Sequence, residues 1–342
     1  MTVVEMPRDF VGYGRNPPKF EWPHGTRLAL NIVVNFEEGA ERNPLDGDPV
    51  QEMASEVAYP SREGERELAQ ESVSEYGSRV GIYRCIDLFD QYEVQPTIFA
   101  CALSLERIAP VTSEFVQRNY DIVSHGYRWI NHLGFTEAQE REEIRKARES
   151  FARTIGRPVV GWFNRMPQTI ATRRILAEEG FLYDSAAVND DIPYFQEVKG
   201  RPFLVVPYSV DVNDFRFWRG TMFTGRDFEA YCCDAFDALY RESARTPRMM
   251  SVGLHSKIIG RPGRIGALEH FLAHVRRFQG VWFASRTDIA RFWAERFAPP
   301  GTWNWPSQAT SRPLGSSPLF DRSVLVGKAD DQEPEETVGD EP

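Results

Sequence analysis

Polar and charged side chains follow several apolar runs of strand length, at the point where each predicted strand ends. They include carboxylates, histidines and an arginine: Glu37 and Glu38 after 27–36, His125 after 120–124, Arg165 after 158–163, Asp211 after 203–209 and His255 after 249–254. Carboxylates and histidines can transfer protons or bind a metal ion, and arginine can stabilise negative charge. Because these residues are far apart in the sequence, their shared position at strand ends predicts one site for acid–base or metal-assisted chemistry.

The elements that would position these residues alternate between short apolar runs and amphipathic stretches. Strands are predicted at 27–36, 95–103, 120–126, 158–163, 181–186, 203–209, 249–256 and 280–285, and helices at 80–89, 136–156, 172–180, 227–244, 265–278 and 287–297. Repeated strand–helix units are typical of a parallel sheet. About seven such units favour a closed or nearly closed barrel, in which function lies at the carboxyl ends of the strands. No G-x-G-x-x-G follows the first strand, so a dinucleotide fold is not indicated.

The boundaries predict a single domain from residue 1 to 298. It includes an N-terminal arm and a polar segment at 37–74, which is long enough to be a lid or an interface element. From 299 to 342 the chain is rich in Pro, Ser, Gly and acidic residues, and we predict a largely disordered tail.

Composition and the start of the sequence indicate which partners the protein can bind and where in the cell we expect it. The formal net charge of the 342 residues is −10, which argues against nucleic acid or an anionic membrane as a partner. The four cysteines form no C-x-x-C pair and are predicted to be reduced core thiols. The start of the sequence has no secretory pattern and no stretch approaches the roughly 18 apolar residues of a membrane span, so we predict a cytoplasmic protein.

Several motifs in order resemble those of the polysaccharide deacetylase (NodB-type, carbohydrate esterase 4-like) superfamily. They are "NFEEG", "SHGYRWI", "GW", "DDIPYF", "VVPYSVDVNDFRF" and "MMSVGLHSKIIGRPGR". The opening "RDFVGYGRNPPKFEWP" is similar to the branch of PuuE-type allantoinases and cyclic-imide hydrolases. The resemblance extends from about Pro7 to Arg296.

The resemblance implies an α/β fold, a distorted (β/α)7 barrel that hydrolyses carbon–nitrogen bonds of amides other than peptides. In metal-dependent members the first motif supplies a general base and a metal ligand, which correspond to Glu37 and Glu38. The second motif supplies two metal-binding histidines four residues apart, and the first corresponds to His125. The last motif supplies a general acid, which corresponds to His255. The sequence departs from this branch in the 161–174 loop and at Ser256-Lys257, where Cys-Arg is common, so allantoin itself is not specified.

The stretch "SHGYRWINH" carries two histidines whose spacing does not suit one metal ion. Histidines four apart in a helical turn are about 6 Å apart at Cβ, but position i+4 from His125 is Trp129, which cannot bind a metal. His132, at i+7, would lie about 10.5 Å further along a helix axis, and we predict it at the surface or an interface. Because Glu38 and His125 alone are too few for an ordinary zinc site, no cofactor is expected, with zinc as the open alternative.

The leading hypothesis is a metal-independent hydrolase of a small, cyclic amide or ureide. Glu37, Glu38, His125 and His255 are the predicted catalytic residues, and the two neighbouring carboxylates should differ in pKa. The predicted substrate contacts are Trp129, Trp162, Arg165 and Asp211. The alternatives are a metal-dependent N-deacetylase of an amino sugar or peptidoglycan, and a divergent barrel without activity. Family resemblance further implies a homo-oligomer, a tetramer in the relatives.

Overall fold

One curled sheet organises the chain. The computed structural model describes residues 8–57, 60–303 and 305. Its strands are β1 (Leu28–Phe36), β2 (Thr97–Ala100), β3 (Asp121–Ser124), β4 (Gly161–Trp162), β5 (Tyr183–Asp184), β6 (Tyr194–Val198), β7 (Arg201–Val205), β8 (Arg248–His255) and β9 (Val281–Phe283). All neighbouring strands are parallel except the hairpin β6–β7.

The sheet order makes a nearly closed barrel. The strands follow the order β6-β7-β5-β4-β3-β2-β1-β8, and β9 pairs with the first residues of β1. The gap lies between the β6–β7 hairpin and β8, and an isolated bridge between Asn213 and Gly253 crosses it. A side chain at Gly253 would clash with the hydroxyl of Tyr208 and the amide of Asn213, so glycine is needed at this seam. The predicted distorted barrel is confirmed.

The central strand β1 is buried on both faces, as a run of apolar residues predicts for a parallel sheet. Leu30, Ile32 and Val34 face a core shared with the surrounding helices. Ala29 and Val33 alternate with them and face a second core. Both faces of the strand are therefore anchored, which fixes where its carboxyl end, and hence the site, must lie.

Ten helices surround the sheet in the part of the chain that the structure describes. They are α1 (Leu68–Tyr76), α2 (Ile82–Gln91), α3 (Ala102–Arg107), α4 (Ala109–Gln117), α5 (Glu137–Ile155), α6 (Thr172–Glu178), α7 (Gly225–Glu242), α8 (Ser256–Ile259), α9 (Pro262–Val275) and α10 (Arg286–Phe297). The predicted capping box of α5 is present, with Thr136 and Gln139 bonded reciprocally, and Gly156 ends the helix in a left-handed conformation.

The structure differs from the predicted elements in several places, among them the following three. The segment 37–74 is not all loop, because α1 begins at Leu68 and continues through a π-helical turn, Gly77–Gly81, into α2. The strand predicted at 158–163 has only two paired residues, Gly161–Trp162. The strand β6 was not predicted, because its "YFQEV" is only partly buried and lacks an apolar run.

The ends of the described chain pack on the barrel. In the N-terminal arm, the Phe20 ring packs edge-on against Trp293 of α10, and the Trp22 ring packs against it at a tilt. Trp303 packs edge-on against Phe195, so ordered chain continues past 298. The rest of the predicted tail, 306–342, lies outside the described residues.

All four cysteines are free. Within 8–57, 60–303 and 305, no helix combines the length and hydropathy of a membrane span.

Candidate active site

Glu37 lies at the centre of a buried cluster at the carboxyl ends of β1, β3 and β8. Its Oε1 atom lies 3.1 Å from Nε2 of His125 and 3.5 Å from Nε2 of His255. Its Oε2 atom accepts a 2.7 Å hydrogen bond from Nζ of Lys257. None of these four residues is more than 4% exposed. One carboxylate therefore joins three basic side chains in a site shielded from bulk water.

The register of the sheet brings these residues together. Asn35 of β1 lies opposite His255 of β8, and Phe36 of β1 lies opposite Ala100 of β2. The backbone N–H of His125 donates to the carbonyl oxygen of Ala100. Glu37, His125 and His255 therefore end a strand or directly follow one at the same level of the barrel, as the strand-end pattern predicts, and Lys257 lies two residues after β8.

An aspartate that was not among the predicted site residues holds His255. Oδ1 of Asp214 lies 2.6 Å from Nδ1 of His255, and Oδ2 accepts hydrogen bonds from the backbone N–H groups of His255 and Ile259. Asp214 is completely buried. This arrangement orients the ring so that its Nε2 faces Glu37.

The two neighbouring carboxylates differ in pKa, as predicted. Burial alone would raise the pKa of Glu37, but the charges of Lys257 and His255 and the hydrogen bond from His125 hold it well below its ordinary value. Burial raises the pKa of Glu38 above its ordinary value, and Lys257 offsets this only in part. Glu37 is therefore a carboxylate at neutral pH, and Glu38 is the more easily protonated of the two.

The environment of His255 favours the imidazolium. Burial lowers its pKa, but the charges of Asp214 and Glu37 outweigh burial and raise the pKa to about 9. In His125, Nδ1 faces the carbonyl oxygen of Phe163 at 3.1 Å and Nε2 faces Glu37, so only the doubly protonated ring donates to both acceptors. Both histidines are placed to donate hydrogen bonds at the site.

Glu38 is turned away from the histidines. Its Oε1 accepts a hydrogen bond from Oγ of Ser256, and its Oε2 accepts one of 2.9 Å from the backbone N–H of Glu37. The π-helical turn packs directly on this carboxylate, because a side chain at Gly77 would overlap it. Glu38 therefore holds the backbone beside Glu37, and Ser256 and Gly77 fix its position.

The segment 40–57 covers the cluster. Ala40, Ala54 and Trp129 pack together above it. The enclosed space beneath, lined by Trp129, Lys257 and residues of 41–55 and α1, is about 10 Å³, roughly the room that one water molecule needs. A substrate therefore requires this segment, named here the lid, to move.

Two of the predicted substrate contacts lie around this lid. The guanidinium of Arg165 stacks on the ring of Trp129 at 3.9 Å and forms a salt bridge with Glu52 of the lid. Arg128 in turn pairs with Asp48. Trp129 therefore lines the enclosed space and Arg165 lies against the lid, and their role in substrate binding stays a prediction.

The other two predicted contacts are not brought to the cluster. Trp162 is completely buried in the core and packs edge-on against Phe181. Asp211 is exposed and hydrogen-bonds Ser209. Both residues belong to the motifs near strand ends, as predicted. However, the side chain of Trp162 points into the core and that of Asp211 points to the surface.

The prediction that His132 lies at the surface or an interface was wrong. The residue is 1% exposed, its ring stacks on Phe135, and Nδ1 lies 3.3 Å from Glu140, which also accepts from Thr172. A buried glutamate on α5 provides a partner that its sequence neighbours do not suggest. His132 and His125 do not share a site.

Sequence reasoning also missed Lys257 and Ser256. Both directly follow His255, and both reach back to the carboxylates that follow β1. A weak signal was present, since a lysine beside a predicted catalytic histidine at a strand end can be pulled inward. No role was assigned to Lys257, since lysine is almost never fully buried unless it is paired.

The residues present do not fit a metal ion. In the described ranges, no group of three or more His, Cys, Asp or Glu side chains is arranged to hold one. Both oxygens of Glu38 are already hydrogen-bonded, and Trp129 stands four residues after His125. The ammonium of Lys257, bonded to Glu37, would repel a divalent cation placed beside it.

The sequence is similar to one family profile and to a protein sequence that bears the same family name. The polysaccharide deacetylase family profile matches residues 75–180. A protein of Schizosaccharomyces pombe assigned as a polysaccharide deacetylase is 33% identical over 315 residues, which cover 84% of this chain and 97% of that protein.

Two solved structures are similar along almost their whole length. The crystal structure of PuuE allantoinase is 44% identical, with a TM-score of 0.82 and coverage of 86% of this chain and 99% of that one. A structure from Pseudomonas aeruginosa PAO1, assigned as a polysaccharide deacetylase, is also 44% identical, with a TM-score of 0.81 and coverage of 85% and 99%.

Proposed function

We propose that this chain, which belongs to the polysaccharide deacetylase family, hydrolyses an amide bond of a small cyclic amide or ureide without a metal ion. Its similarity to deacetylases and an allantoinase identifies it as a hydrolase of carbon–nitrogen bonds other than peptide bonds. The observation that carries the proposal is the Glu37 carboxylate, which lies between the basic side chains of His125, His255 and Lys257.

In the first step, Glu37 accepts a proton from a water molecule whose oxygen attacks the amide carbon. A carboxylate with a low pKa is a weak base in the free enzyme. As the oxyanion develops, hydrogen bonds from His125 and Lys257 shift towards it, and the pKa of Glu37 rises at the moment when it must take the proton. Such preorganised donors commonly contribute several kcal/mol, about 2.7–4 for one donor.

In the second step, His255 donates its Nε2 proton to the departing nitrogen and the carbon–nitrogen bond breaks. The products are a carboxylic acid group and a free amide or amine nitrogen, which stay in one molecule when the substrate is a ring. Glu37 then returns the water proton to His255 across the 3.5 Å between them. Asp214 stabilises the imidazolium throughout, as the carboxylate of a catalytic triad does.

The enclosure of the site supports a small substrate. A polymer chain needs an open groove, whereas here a lid covers the cluster and leaves room for about one water molecule. Similarity to an allantoinase over nearly the whole chain supports a ureide or cyclic imide.

A substrate screen tests the proposal. Purified protein is assayed with allantoin, hydantoins, succinimide and chitooligosaccharides, and zinc is measured in the same sample. We expect ring opening of one of the cyclic amides with substoichiometric metal, and at least a 10²-fold loss of kcat in Glu37→Gln. Glu142→Gln, on the exposed face of α5, is the matched control. Deacetylation of chitooligosaccharides with stoichiometric zinc would instead establish the metal-dependent alternative.

We also propose a homo-oligomer. Phe10 and Val11 of the N-terminal arm are 78% and 79% exposed, and burial against another copy would remove this apolar surface from water. Sedimentation of the full chain and of a Phe10→Ser/Val11→Ser variant tests this; an unchanged monomer in both contradicts it.

A further inference from the structure

We infer that Lys257 is the fixed cation of this site, so that its ammonium has the electrostatic role that a metal ion has in metal-dependent relatives. The inference rests on the proposed function for the reaction it serves. It identifies a residue that was not among the predicted catalytic, substrate-binding or metal-binding residues. It also explains how a site without a metal can hold an ionised glutamate out of water.

The position of Lys257 is set by rigid elements. It is the second residue of α8, which begins directly after β8. The backbone N–H of Ile259 is held by Asp214. Gly81 and Gly260 allow the π-helical turn to lie against α8, because a side chain at either would overlap the backbone of Ser256. The lysine side chain therefore projects from a fixed backbone towards Glu37.

Its surroundings keep the ammonium charged. The side chain is 2% exposed, and Nζ donates a 2.7 Å hydrogen bond to Glu37. Nζ also lies 4.8 Å from the centre of the Trp129 ring. Burial would lower the pKa of Lys257, but Glu37, Glu38 and Glu41 outweigh burial and raise it. Removing only one member of a buried, hydrogen-bonded ion pair is strongly destabilising, because the other charge is left without a partner.

The ammonium also borders the space that a substrate would occupy. Lys257 and Trp129 line the enclosed cavity under the lid. An ammonium has three N–H donors, and one of them serves Glu37. The others can meet a carbonyl oxygen in the cavity, next to the carboxylate that activates water. A single charge thus lowers the pKa of Glu37 in the resting site and stabilises the oxyanion during attack.

The first test is the pH dependence of kcat/KM for Lys257→Met and Lys257→Arg, with Lys146→Met on the exposed face of α5 as the matched control. We expect Lys257→Met to lose at least 10²-fold in kcat and to move the acidic limb, set by Glu37, to higher pH. Lys257→Arg keeps that limb near its wild-type position. A structural role alone would lower kcat without moving the limb, and an unmoved limb in Lys257→Met would overturn the inference.

The second test uses zinc affinity and needs no substrate, so it separates this inference from the proposed function. Trp129→His restores a histidine four residues after His125. We expect Trp129→His/Lys257→Met to bind zinc at least tenfold more tightly than Trp129→His alone, because the ammonium no longer opposes the ion. Equal affinities, including no binding by either, would overturn the inference. If Lys257→Met does not fold, both proteins are compared in the Glu37→Gln background, where Lys257→Met no longer leaves the buried Glu37 carboxylate without its ammonium partner.

Discussion

At the scale of single residues, the charge state of His255 controls the proposed chemistry. The ring must carry a proton on Nε2 to protonate the leaving nitrogen, and Asp214 and Glu37 raise its pKa to about 9. Activity limited by this acid is therefore constant below that pH and declines as the pH rises through about 9. The same shift contributes stability that is complete below the ordinary histidine pKa of about 6.5 and is lost through pH 9.

Asp214→Asn is expected to move this alkaline limb to lower pH. The substitution removes the largest attraction on the imidazolium, and a close charge typically shifts a pKa by about 1–3 units. The limb in kcat/KM, which reports the free enzyme, should therefore fall by about one unit or more.

The pair His274–Asp237 provides a matched control for this prediction. Nε2 of His274 lies 2.8 Å from Asp237, between α7 and α9 and away from the cluster. Asp237→Asn should leave the pH profile unchanged. An alkaline limb that stays at the wild-type pH in Asp214→Asn would show that His255 is not the acid.

Four of the clustered residues could be predicted from the sequence because parallel strands bring their carboxyl ends to one edge. Glu37, Glu38, His125 and His255 all follow apolar runs that were identified correctly. The partners Asp214 and Lys257 could not be chosen, since their pairing depends on where a 3-10 turn and a four-residue helix place them. The sequence also could not show that the Trp162 side chain points into the core and not towards the cluster.

At the scale of elements, the π-helical turn Gly77–Gly81 supports the site from below. It brings the α1–α2 chain so close to Glu38 that a side chain at Gly77 would overlap the carboxylate. Gly77→Ala should displace Glu38 and lower the free energy of unfolding by about 1–3 kcal/mol, the usual cost of overpacking. Denaturant unfolding measures this change.

Gly266→Ala is the control for that substitution. Gly266 lies inside α9 and nothing would lie within 4 Å of an added side chain. Alanine there should be neutral or stabilise by about 0.5–1 kcal/mol, because it is the better helix former. Equal stability of Gly77→Ala and Gly266→Ala would contradict the close packing inferred at Gly77.

The lid is a second element whose contacts make a prediction. Glu52 is joined to Arg165, which stacks on Trp129 over the cluster. Glu52→Gln removes one charge of this pair, and a hydrogen bond to a charged group contributes about 1.5–3 kcal/mol. Hydrogen exchange of the backbone amides at 42–57 should become roughly tenfold faster or more.

The pair Glu75–Arg79 is the matched control for the lid. Its side chains are 58% and 75% exposed, so Glu75→Gln should leave exchange in the lid unchanged. Protection that persists in Glu52→Gln would mean that other contacts hold the lid closed. The sequence indicated a lid from the length of 37–74 but could not identify its salt bridges, because Asp48–Arg128 and Glu52–Arg165 join residues 80 and 113 positions apart.

At the scale of the whole molecule, one guanidinium spans the open seam of the barrel. Arg286, at the start of α10, donates hydrogen bonds to Ser185 after β5, to Ser251 of β8 and to the carbonyl oxygen of Pro207 after β7. These partners lie on both sides of the gap between the β6–β7 hairpin and β8. The strand–helix alternation predicted the barrel, but nothing in the local sequence predicted how its seam is joined.

The proposed metal-independent chemistry makes a final prediction about the whole molecule. A ligand that binds only the folded state stabilises it by RT ln(1 + [L]/Kd), about 2.7 kcal/mol at a hundredfold excess over Kd. A resident zinc ion would therefore change Tm by several degrees when it is removed or added. Since Lys257 opposes a cation beside Glu37, we expect the wild-type Tm to change by less than about 1 °C with chelator or with zinc. Trp129→His/Lys257→Met should show a zinc-dependent rise, which proves that the assay can detect binding. A fall in wild-type Tm with chelator, reversed by zinc, would mean that the fold carries a metal after all.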